Sequence, residues 1–201
     1  MENSMRSTST LSVNKLVKVG ILAAMSFILM FVQFPIPIAP PFMKVDLADV
    51  PSLIGGFAMG PGYGVAIQFI KNFLNLSKTT TGGVGELSNF IVGGAFVYVS
   101  SFIYHRRKTK KTAIKAMVVG MLVMTVLATL SNTFVIFPLY GKIMGIELQE
   151  FVNMVSATNR LVTSYPTLML LSIAPFNIIK GTIEIIVTDL LYKKVSPILK
   201  K

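Results

Sequence analysis

Four long apolar segments constrain the fold of this chain more than any other feature. An α-helix needs about 20 apolar residues to cross the hydrocarbon core of a bilayer, and each segment is close to or above that length. Backbone polar groups in lipid must be satisfied within the segment, so these segments are expected to cross as helices. The sequence therefore predicts an all-α integral membrane protein. The segments run approximately from Leu16 to Phe34, Leu87 to Tyr104, Ala113 to Phe137 and Leu168 to Leu191.

Composition supports a membrane protein and excludes several kinds of site. Apolar residues make up 53% of the 201 residues, charged residues only 13%, and the mean hydropathy is +0.69. Charged residues usually account for about 25% of a soluble domain. The chain has no cysteine and a single histidine, His105, so disulfides and thiolate or imidazole metal sites are not expected. We expect no metal and no cofactor.

The net charge of +11 does not indicate nucleic-acid binding, because the basic residues cluster at the ends of apolar segments. Such clusters mark the cytoplasmic ends of membrane helices. Three clusters are present, and five other basic residues would face outward if every cluster is cytoplasmic. The clusters are Arg6, Lys15 and Lys18; Arg106, Arg107, Lys108, Lys110, Lys111 and Lys115; and Lys193, Lys194, Lys200 and Lys201. The outward residues are Lys44, Lys71, Lys78, Lys142 and Arg160.

The number of spans depends on residues 50–76, which could form one tilted span or two short ones. Gly60, Pro61 and Gly62 interrupt this region, and proline and glycine favour a break. Two spans place every basic cluster on the cytoplasmic side, so the positive-inside rule favours six helices. We expect one domain in the bacterial plasma membrane, with six transmembrane helices and both termini cytoplasmic. The predicted helices cover residues 14–34, 47–60, 61–76, 85–106, 111–137 and 165–195.

Three polar residues in the last apolar segment form the strongest candidate site. Asn177, Lys180 and Glu184 share one face of a helix, since their spacing follows i, i+3 and i+7. A lysine in the middle of a membrane costs about 2.5 to 3.5 kcal/mol, so its charge must face protein, water or a ligand. The default interpretation is a functional site. The alternative is that Lys180 only pairs with Glu184 within its own helix.

Irregular and polar residues collect in three segments on the side away from the basic clusters. These are a proline-rich segment over 35–49, a glycine-rich loop over 77–86 and a segment over 138–167, which is long enough to form a lid or a surface helix. A small-molecule site between the helices and open to the outside is the simplest inference. An enzyme receives little support, because the chain has no nucleotide-binding P-loop and no suitably placed base for a nucleophile.

Several motifs resemble one transporter family. Lys71 to Leu76 with Thr79 to Phe90, Asn132 with Phe134 to Tyr140, and Pro175 to Gly181 are similar to the riboflavin-specific substrate-binding subunits (S components) of energy-coupling-factor (ECF) vitamin transporters. The resemblance covers nearly the whole chain, from Leu11 to Leu191. It implies a subunit that binds riboflavin from outside and delivers it inward with a transmembrane T component and two ATPase subunits.

The resemblance also implies roles for individual residues. In the family, small residues of the first helix meet the T component, and this chain offers Gly20, Ala23 and Ala24 there. Packing within the chain is an equally good explanation of these small residues from their spacing alone. For the isoalloxazine ring we expect polar contacts from Asn132, Asn177 and Lys180, with Leu47 and Tyr140 among the residues of an apolar wall. For the ribityl chain we expect contacts from Lys44, Asp46, Thr79, Thr80, Gly82 and Gly83.

Two alternatives remain at this stage. The chain could be the S component for a different vitamin, although thiamine carries a positive charge that a site lysine would repel, and folate carries carboxylates that one lysine meets poorly. It could also be a self-sufficient secondary transporter or channel with Lys180 and Glu184 as an ion relay. An inverted internal repeat would favour that alternative, and residues 14–104 and 111–195 show none.

Overall fold

The computed structural model describes residues 13–200, with side chains described for residues 13–192. Arg6 and Lys201 of the predicted cytoplasmic clusters lie outside the described residues, as do the side chains of Lys193, Lys194 and Lys200. The described part is predominantly helical. Its helices are α1 (Val13–Leu29), α2 (Asp49–Met59), α3 (Pro61–Asn75), α4 (Val84–Arg106), α5 (Lys110–Ser131), α6 (Phe137–Met144), α7 (Leu148–Ser156), α8 (Tyr165–Leu168) and α9 (Ala174–Lys200).

Three helical stretches of the described part are long and apolar enough to cross a membrane. They are Val84–Arg106, Lys110–Met144 and Tyr165–Tyr192. The second joins α5 to α6, and the third joins α8 to α9. Helices α1, α2 and α3 are shorter, at 17, 11 and 15 residues.

The first helix ends earlier than its apolar sequence suggests. Residues 14–34 were predicted to be helical, but α1 ends at Leu29 and the chain turns before Phe34. Residues Phe34–Pro35 (β1) then pair antiparallel with Lys44–Val45 (β2), with Phe34 opposite Val45. Proline has no N–H to donate in a helix, which explains why the proline-rich segment after Phe34 is not helical. This extended pair is the one sheet in the described part of the chain.

A glycine and a proline separate α2 from α3. Gly60 has φ of 126°, a value that side chains with a Cβ rarely adopt, and Pro61 is the first residue of α3. At the other end of α3, Leu76–Lys78 forms a single 3₁₀ turn. Gly82 and Gly83, with φ of 61° and 88°, complete the turn into α4.

Two π-helical turns interrupt the long helical stretches. Asn132–Ile136 lies between α5 and α6, and Met169–Ile173 lies between α8 and α9. Each π turn ends two residues before a proline, Pro138 and Pro175. A proline removes one helical donor and displaces the backbone that precedes it, which accounts for the widened turns. The predicted helix end at 137 is therefore wrong, since the helical path continues through Pro138 to Met144.

The helices pack as one bundle with two main hydrophobic clusters. α4 packs on α3 and α5, α9 packs on α2 and α5, and α1 packs on α2 and α3. One cluster contains Phe57, Tyr104 and Met117 and lies toward the end that carries the predicted cytoplasmic cluster at residues 106–111. The other contains Phe137, Phe151 and Leu168 and lies toward the opposite end, beneath α7. The candidate site is at this second end.

Candidate ligand-binding site

A cavity of about 460 Å³ opens at the end of the bundle opposite the basic residues 106–111. This volume falls within the range of about 300 to 1,000 Å³ that is typical of small-molecule sites. Its wall combines residues of the segment between α1 and α2 with residues of α4, α5 and α9. The lining side chains include Met30, Phe31, Phe42, Met43, Lys44, Asp46, Asn75, Lys78, Thr80, Thr81, Glu86, Ser88, Asn89, Val92, Ala128, Asn132, Ile136, Tyr140, Phe176, Asn177 and Lys180.

Two asparagines reach the cavity from helical positions next to the π turns. Asn132 begins the first π turn, and its Nδ2 donates to the carbonyl oxygen of Ala128 at 2.7 Å. Asn177 follows the second π turn by one helical turn, and its Nδ2 donates to the carbonyl oxygen of Ile173 at 2.8 Å. Each amide is anchored through one hydrogen bond to its own helix. An asparagine side chain has two N–H donors and an acceptor oxygen, so capacity remains for a ligand.

Lys180 lies on the cavity wall and also contacts two buried carboxylates. Its Nζ is 3.2 Å from Oδ2 of Asp49 on α2 and 3.8 Å from Oε1 of Glu184 on its own helix. Its side chain is 11% exposed, and the carboxylates of Asp49 and Glu184 are fully buried. The nearer partner is thus Asp49, and pairing with Glu184 alone does not describe the environment of this lysine.

Asp49 connects three helices, a role that sequence reasoning missed. Its carboxylate lies in the first turn of α2, whose N-cap position is Ala48 and has no side-chain cap. Oδ1 of Asp49 accepts hydrogen bonds from Gln68 Nε2 at 2.8 Å and from Lys71 Nζ, both on α3. The prediction that Lys71 faces outward is wrong, because Lys71 is fully buried against Asp49.

Glu86 organises the glycine-rich loop that borders the cavity. Its carboxylate accepts hydrogen bonds from Asn75 Nδ2 at 2.8 Å, Thr79 Oγ1 at 2.9 Å and Thr81 Oγ1 at 3.3 Å. The Oγ1 of Thr79 in turn accepts from the backbone N–H of Gly83 at 3.0 Å. Glu86 therefore fixes the glycine-rich loop, and Thr80 and Thr81 of this loop line the cavity.

The structure places seven of the eleven predicted substrate-binding residues on the cavity wall and four away from it. The residues on the wall are Lys44, Asp46, Thr80, Asn132, Tyr140, Asn177 and Lys180. Thr79 is turned toward Glu86, and Gly82 and Gly83 form the turn before α4, so all three shape the loop from outside the wall. Leu47 lies beside the wall residue Asp46 but is not itself part of the lining.

Sequence reasoning missed several polar lining residues of α3 and α4. Asn75 ends α3, and Glu86 and Asn89 lie in the first two turns of α4. Their i, i+3 spacing places Glu86 and Asn89 on one face of α4, which was the available signal. Lys78 also lines the cavity, and its Nζ lies 4.0 Å from the ring centre of Phe31. This contact joins the loop after α3 to the segment after α1.

The cavity can therefore hold a partly apolar small molecule with polar edges. Aromatic and aliphatic side chains such as Phe42, Met43 and Phe176 supply apolar wall, while two amides and one ammonium supply directed contacts. Among the described residues, no group of three or more His, Cys, Asp or Glu side chains is placed to hold a metal ion.

The small residues of α1 divide between two environments. Gly20 and Ala24 are exposed, and the space where a Cβ of Gly20 would project is open to 4 Å. Ala23 is 1% exposed and packs with Val19, Leu22 and Ile67. Ala23 thus contributes to packing within the chain, while Gly20 and Ala24 leave a shallow outer face on α1.

Comparison with known proteins identifies similar chains. The family described as "ECF transporter, substrate-specific component" matches residues 14–192. The chain is 34% identical to the riboflavin transporter RibU of Staphylococcus aureus (strain TCH60), over 93% of each chain. It is 30% identical to the riboflavin transporter FmnP of Bacillus subtilis (strain 168), over 93% of this chain and 94% of that one. A solved structure of the S component of a bacterial ECF transporter matches with a TM-score of 0.74 and 34% identity, over 94% of this chain and 99% of that chain.

Proposed function

Because this chain belongs to the family of substrate-specific components of ECF transporters, we propose that it is the riboflavin-binding subunit of a vitamin uptake system. One observation carries this proposal: Asn132, Asn177 and Lys180 converge on one cavity in a chain that is 34% identical to a riboflavin transporter. Riboflavin is the transported ligand in this proposal, and the protein is not an enzyme.

The chemistry of the isoalloxazine ring fits these three side chains. The ring is a flat apolar slab whose pyrimidine edge carries two carbonyls and one imide N–H. An asparagine can accept from the N–H and donate to a carbonyl, and a lysine can donate to a carbonyl or a ring nitrogen. Such bonds are worth about 1 to 3 kcal/mol each where a buried group would otherwise be unpaired. The aromatic and methionine side chains of the wall complete an apolar slot for the ring.

The ribityl chain is assigned to the outer part of the cavity. Its hydroxyl groups need donors and acceptors, and Lys44, Asp46 and Thr80 offer both at the wall. Glu86 and Asn75 add polar groups beside them. This orientation keeps the apolar ring deep in the bundle and the hydrophilic chain nearest to solvent.

The proposal extends to topology and partners. We assign six transmembrane helices with both termini cytoplasmic in the bacterial plasma membrane: α1, α2, α3, α4, the α5–α6 stretch and the α8–α9 stretch. The cavity then opens outward, because it lies opposite the basic residues 106–111. The energising partners are a T component and two ATPase subunits, and the exposed Gly20 and Ala24 of α1 are the proposed contact with the T component.

An ion relay through Lys180 and Glu184 is the weaker alternative. Glu184 is fully buried, and it does not line the cavity from which an ion would be taken up. Lys180 instead faces the cavity beside Asn177, as a ligand contact would. These placements favour a binding subunit.

Ligand binding by the purified protein tests the proposal. We expect the detergent-solubilised chain to be yellow when isolated from riboflavin-containing medium, and titration calorimetry to give one tight site per chain after the flavin is removed. Thiamine and folate serve as competitors that should not displace riboflavin. A folded protein that is colourless and gives no heat with riboflavin would contradict the proposal, and binding of thiamine or folate would indicate a different vitamin.

A further inference from the structure

A buried cluster of charged side chains lies directly behind the cavity. It contains Asp49 of α2, Lys71 of α3, and Lys180 and Glu184 of α9, with Gln68 of α3 as a neutral member. Of its four charged residues, only Lys180 lines the cavity. We propose that Asp49 is a positioning residue that holds the Lys180 ammonium at the cavity wall. This inference rests on the proposed function, since riboflavin is the ligand that Lys180 would meet.

The two carboxylate oxygens of Asp49 contact different helices. Oδ1 accepts from Gln68 Nε2 at 2.8 Å and from Lys71 Nζ, so it is saturated by donors of α3. Oδ2 lies 3.2 Å from Lys180 Nζ. The donors on α3 fix the carboxylate plane, and the second oxygen then fixes the position of the ammonium on α9.

Helix α4 covers the Asp49 carboxylate. A Cβ at Gly93 would lie 3.2 Å from both carboxylate oxygens of Asp49 and 3.1 Å from Gln68 Nε2. The backbone of α4 therefore passes directly over the pair, and Asp49 is fully buried. A carboxylate held by α3 and covered by α4 has no room to rotate away from Lys180.

Glu184 does not fix the direction of the Lys180 ammonium. Its nearer oxygen is 3.8 Å from Lys180 Nζ, beyond hydrogen-bond distance, whereas Oδ2 of Asp49 forms an ion pair with the same Nζ at 3.2 Å. Glu184 lies one turn further along α9, away from the cavity wall. Without Asp49, the ammonium would turn toward Glu184 and leave the ligand without its donor.

A double-mutant cycle on riboflavin affinity separates positioning from simple stabilisation. The full-length chain in detergent is compared as wild type, Asp49→Asn, Lys180→Met and the two together. We expect each single variant to weaken riboflavin binding by about 10-fold to 100-fold, the range for losing a hydrogen bond to a charged group. We expect Asp49→Asn to cause no further loss in the Lys180→Met background, because Asp49 acts only through Lys180.

Charge balance is controlled by a second variant. Asp49→Asn alone removes one negative charge from the cluster and can destabilise the fold, whereas Asp49→Asn with Lys71→Met removes one charge of each sign and leaves the net charge of the cluster unchanged. We expect the paired variant to unfold near the wild-type temperature and still to bind riboflavin about 10-fold to 100-fold more weakly. Lys71→Met alone measures the contribution of this α3 donor, and we expect a smaller loss of affinity than for Asp49→Asn, because Gln68 still donates to Oδ1 of Asp49.

Three results would overturn this inference. They are wild-type affinity in a folded Asp49→Asn protein, losses that multiply in the double variant with Lys180→Met, and recovery of wild-type affinity in the variant that also carries Lys71→Met. The last result would show that only charge balance matters. Failure of the wild-type chain to bind riboflavin is a different outcome: it would contradict the proposed function, and this inference would fail with it.

Discussion

Asn132 and Asn177 show how a polar side chain can be held in place within a membrane bundle. Each amide donates one hydrogen bond to a carbonyl of its own helix, at 2.7 Å and 2.8 Å, and this anchors the side chain. A buried polar group without partners costs about 1 to 3 kcal/mol. The second N–H and the oxygen of each amide can therefore pair with polar atoms of a ligand that would otherwise be buried without partners.

Replacing Asn177 with alanine tests this directly. We expect Asn177→Ala to weaken riboflavin binding by about 10-fold or more, because one buried hydrogen-bonding group of the ligand is left unpaired. Calorimetric titration of the detergent-solubilised variant measures the change. The matched control is Asn153→Ala on the exposed surface of α7, for which we expect wild-type affinity. Equal affinities for the two variants would remove Asn177 from the site.

Which residues could be predicted depended on contrast with their surroundings. Lys180 and Asn177 stand out because they are polar residues within a long apolar segment, so the sequence identified both as residues of the binding site. Asn75 and Glu86 adjoin a polar loop, where one more polar residue carries little information, and they were missed. The partnership of Asp49 with Lys71 joins residues 22 positions apart in sequence, and no local spacing rule reaches that far.

The two π turns are the elements that shape the site. Both occur two residues before a proline, and both lie next to a cavity asparagine. Widened turns of this kind leave carbonyl groups without helical donors. In the first, Tyr165 Oη donates to the carbonyl of Thr133 at 2.8 Å and contacts that of Asn132 at 3.2 Å. In the second, Asn159 Nδ2 donates to the carbonyl of Leu171 at 3.3 Å.

Removing the Tyr165 hydroxyl should loosen the first π turn. We expect Tyr165→Phe to lower the free energy of unfolding by about 1 kcal/mol or more, because the Thr133 carbonyl loses its donor. We also expect a several-fold weaker affinity for riboflavin, since Asn132 belongs to the same turn. Thermal unfolding and calorimetric titration measure the two effects. Tyr98→Phe on the exposed face of α4 is the control, and identical behaviour of the two variants would contradict this role.

The sequence predicted the existence of these elements better than their ends. Gly60 and Pro61 mark a break that the chain does contain, because no L residue with a Cβ favours the φ of Gly60. The predicted helix over 111–137 ends directly before Pro138. The helical path instead continues as α6, because a π turn and the Tyr165 hydroxyl compensate for the missing proline N–H. That compensation comes from a residue 27 positions later in the sequence and has no local signature.

At the scale of the whole molecule, the cavity and the basic cluster at residues 106–111 occupy opposite ends of the bundle. The proposed orientation places the loop at Thr80 outside the cell and the turn at Thr109 inside. Both positions are exposed, and the natural chain has no cysteine. In intact cells, we expect Thr80→Cys to react with a membrane-impermeant thiol reagent and Thr109→Cys to react only after the cells are opened. The reverse labelling pattern would overturn the orientation.

The outer face of α1 gives the last test, because it separates binding from transport. Gly20 and Ala24 lie one turn apart and both are exposed, so a larger side chain there projects outward without disturbing the cavity. Close approach of two helices in a membrane needs small residues at the contact. We therefore expect Gly20→Leu and Ala24→Leu to abolish riboflavin uptake by cells.

The affinity of the purified variants should remain within about twofold of wild type, the usual limit for sites that do not interact. Val126→Leu adds bulk to an exposed position of α5 and should leave uptake unchanged. Lost affinity in the α1 variants would show that this face supports the fold rather than a partner. Normal uptake would place the contact with the T component on another helix. Only intact binding combined with lost uptake requires a partner at Gly20 and Ala24. Binding depends on the cavity alone, whereas delivery of riboflavin into the cell also needs contact between the bundle and its energising module.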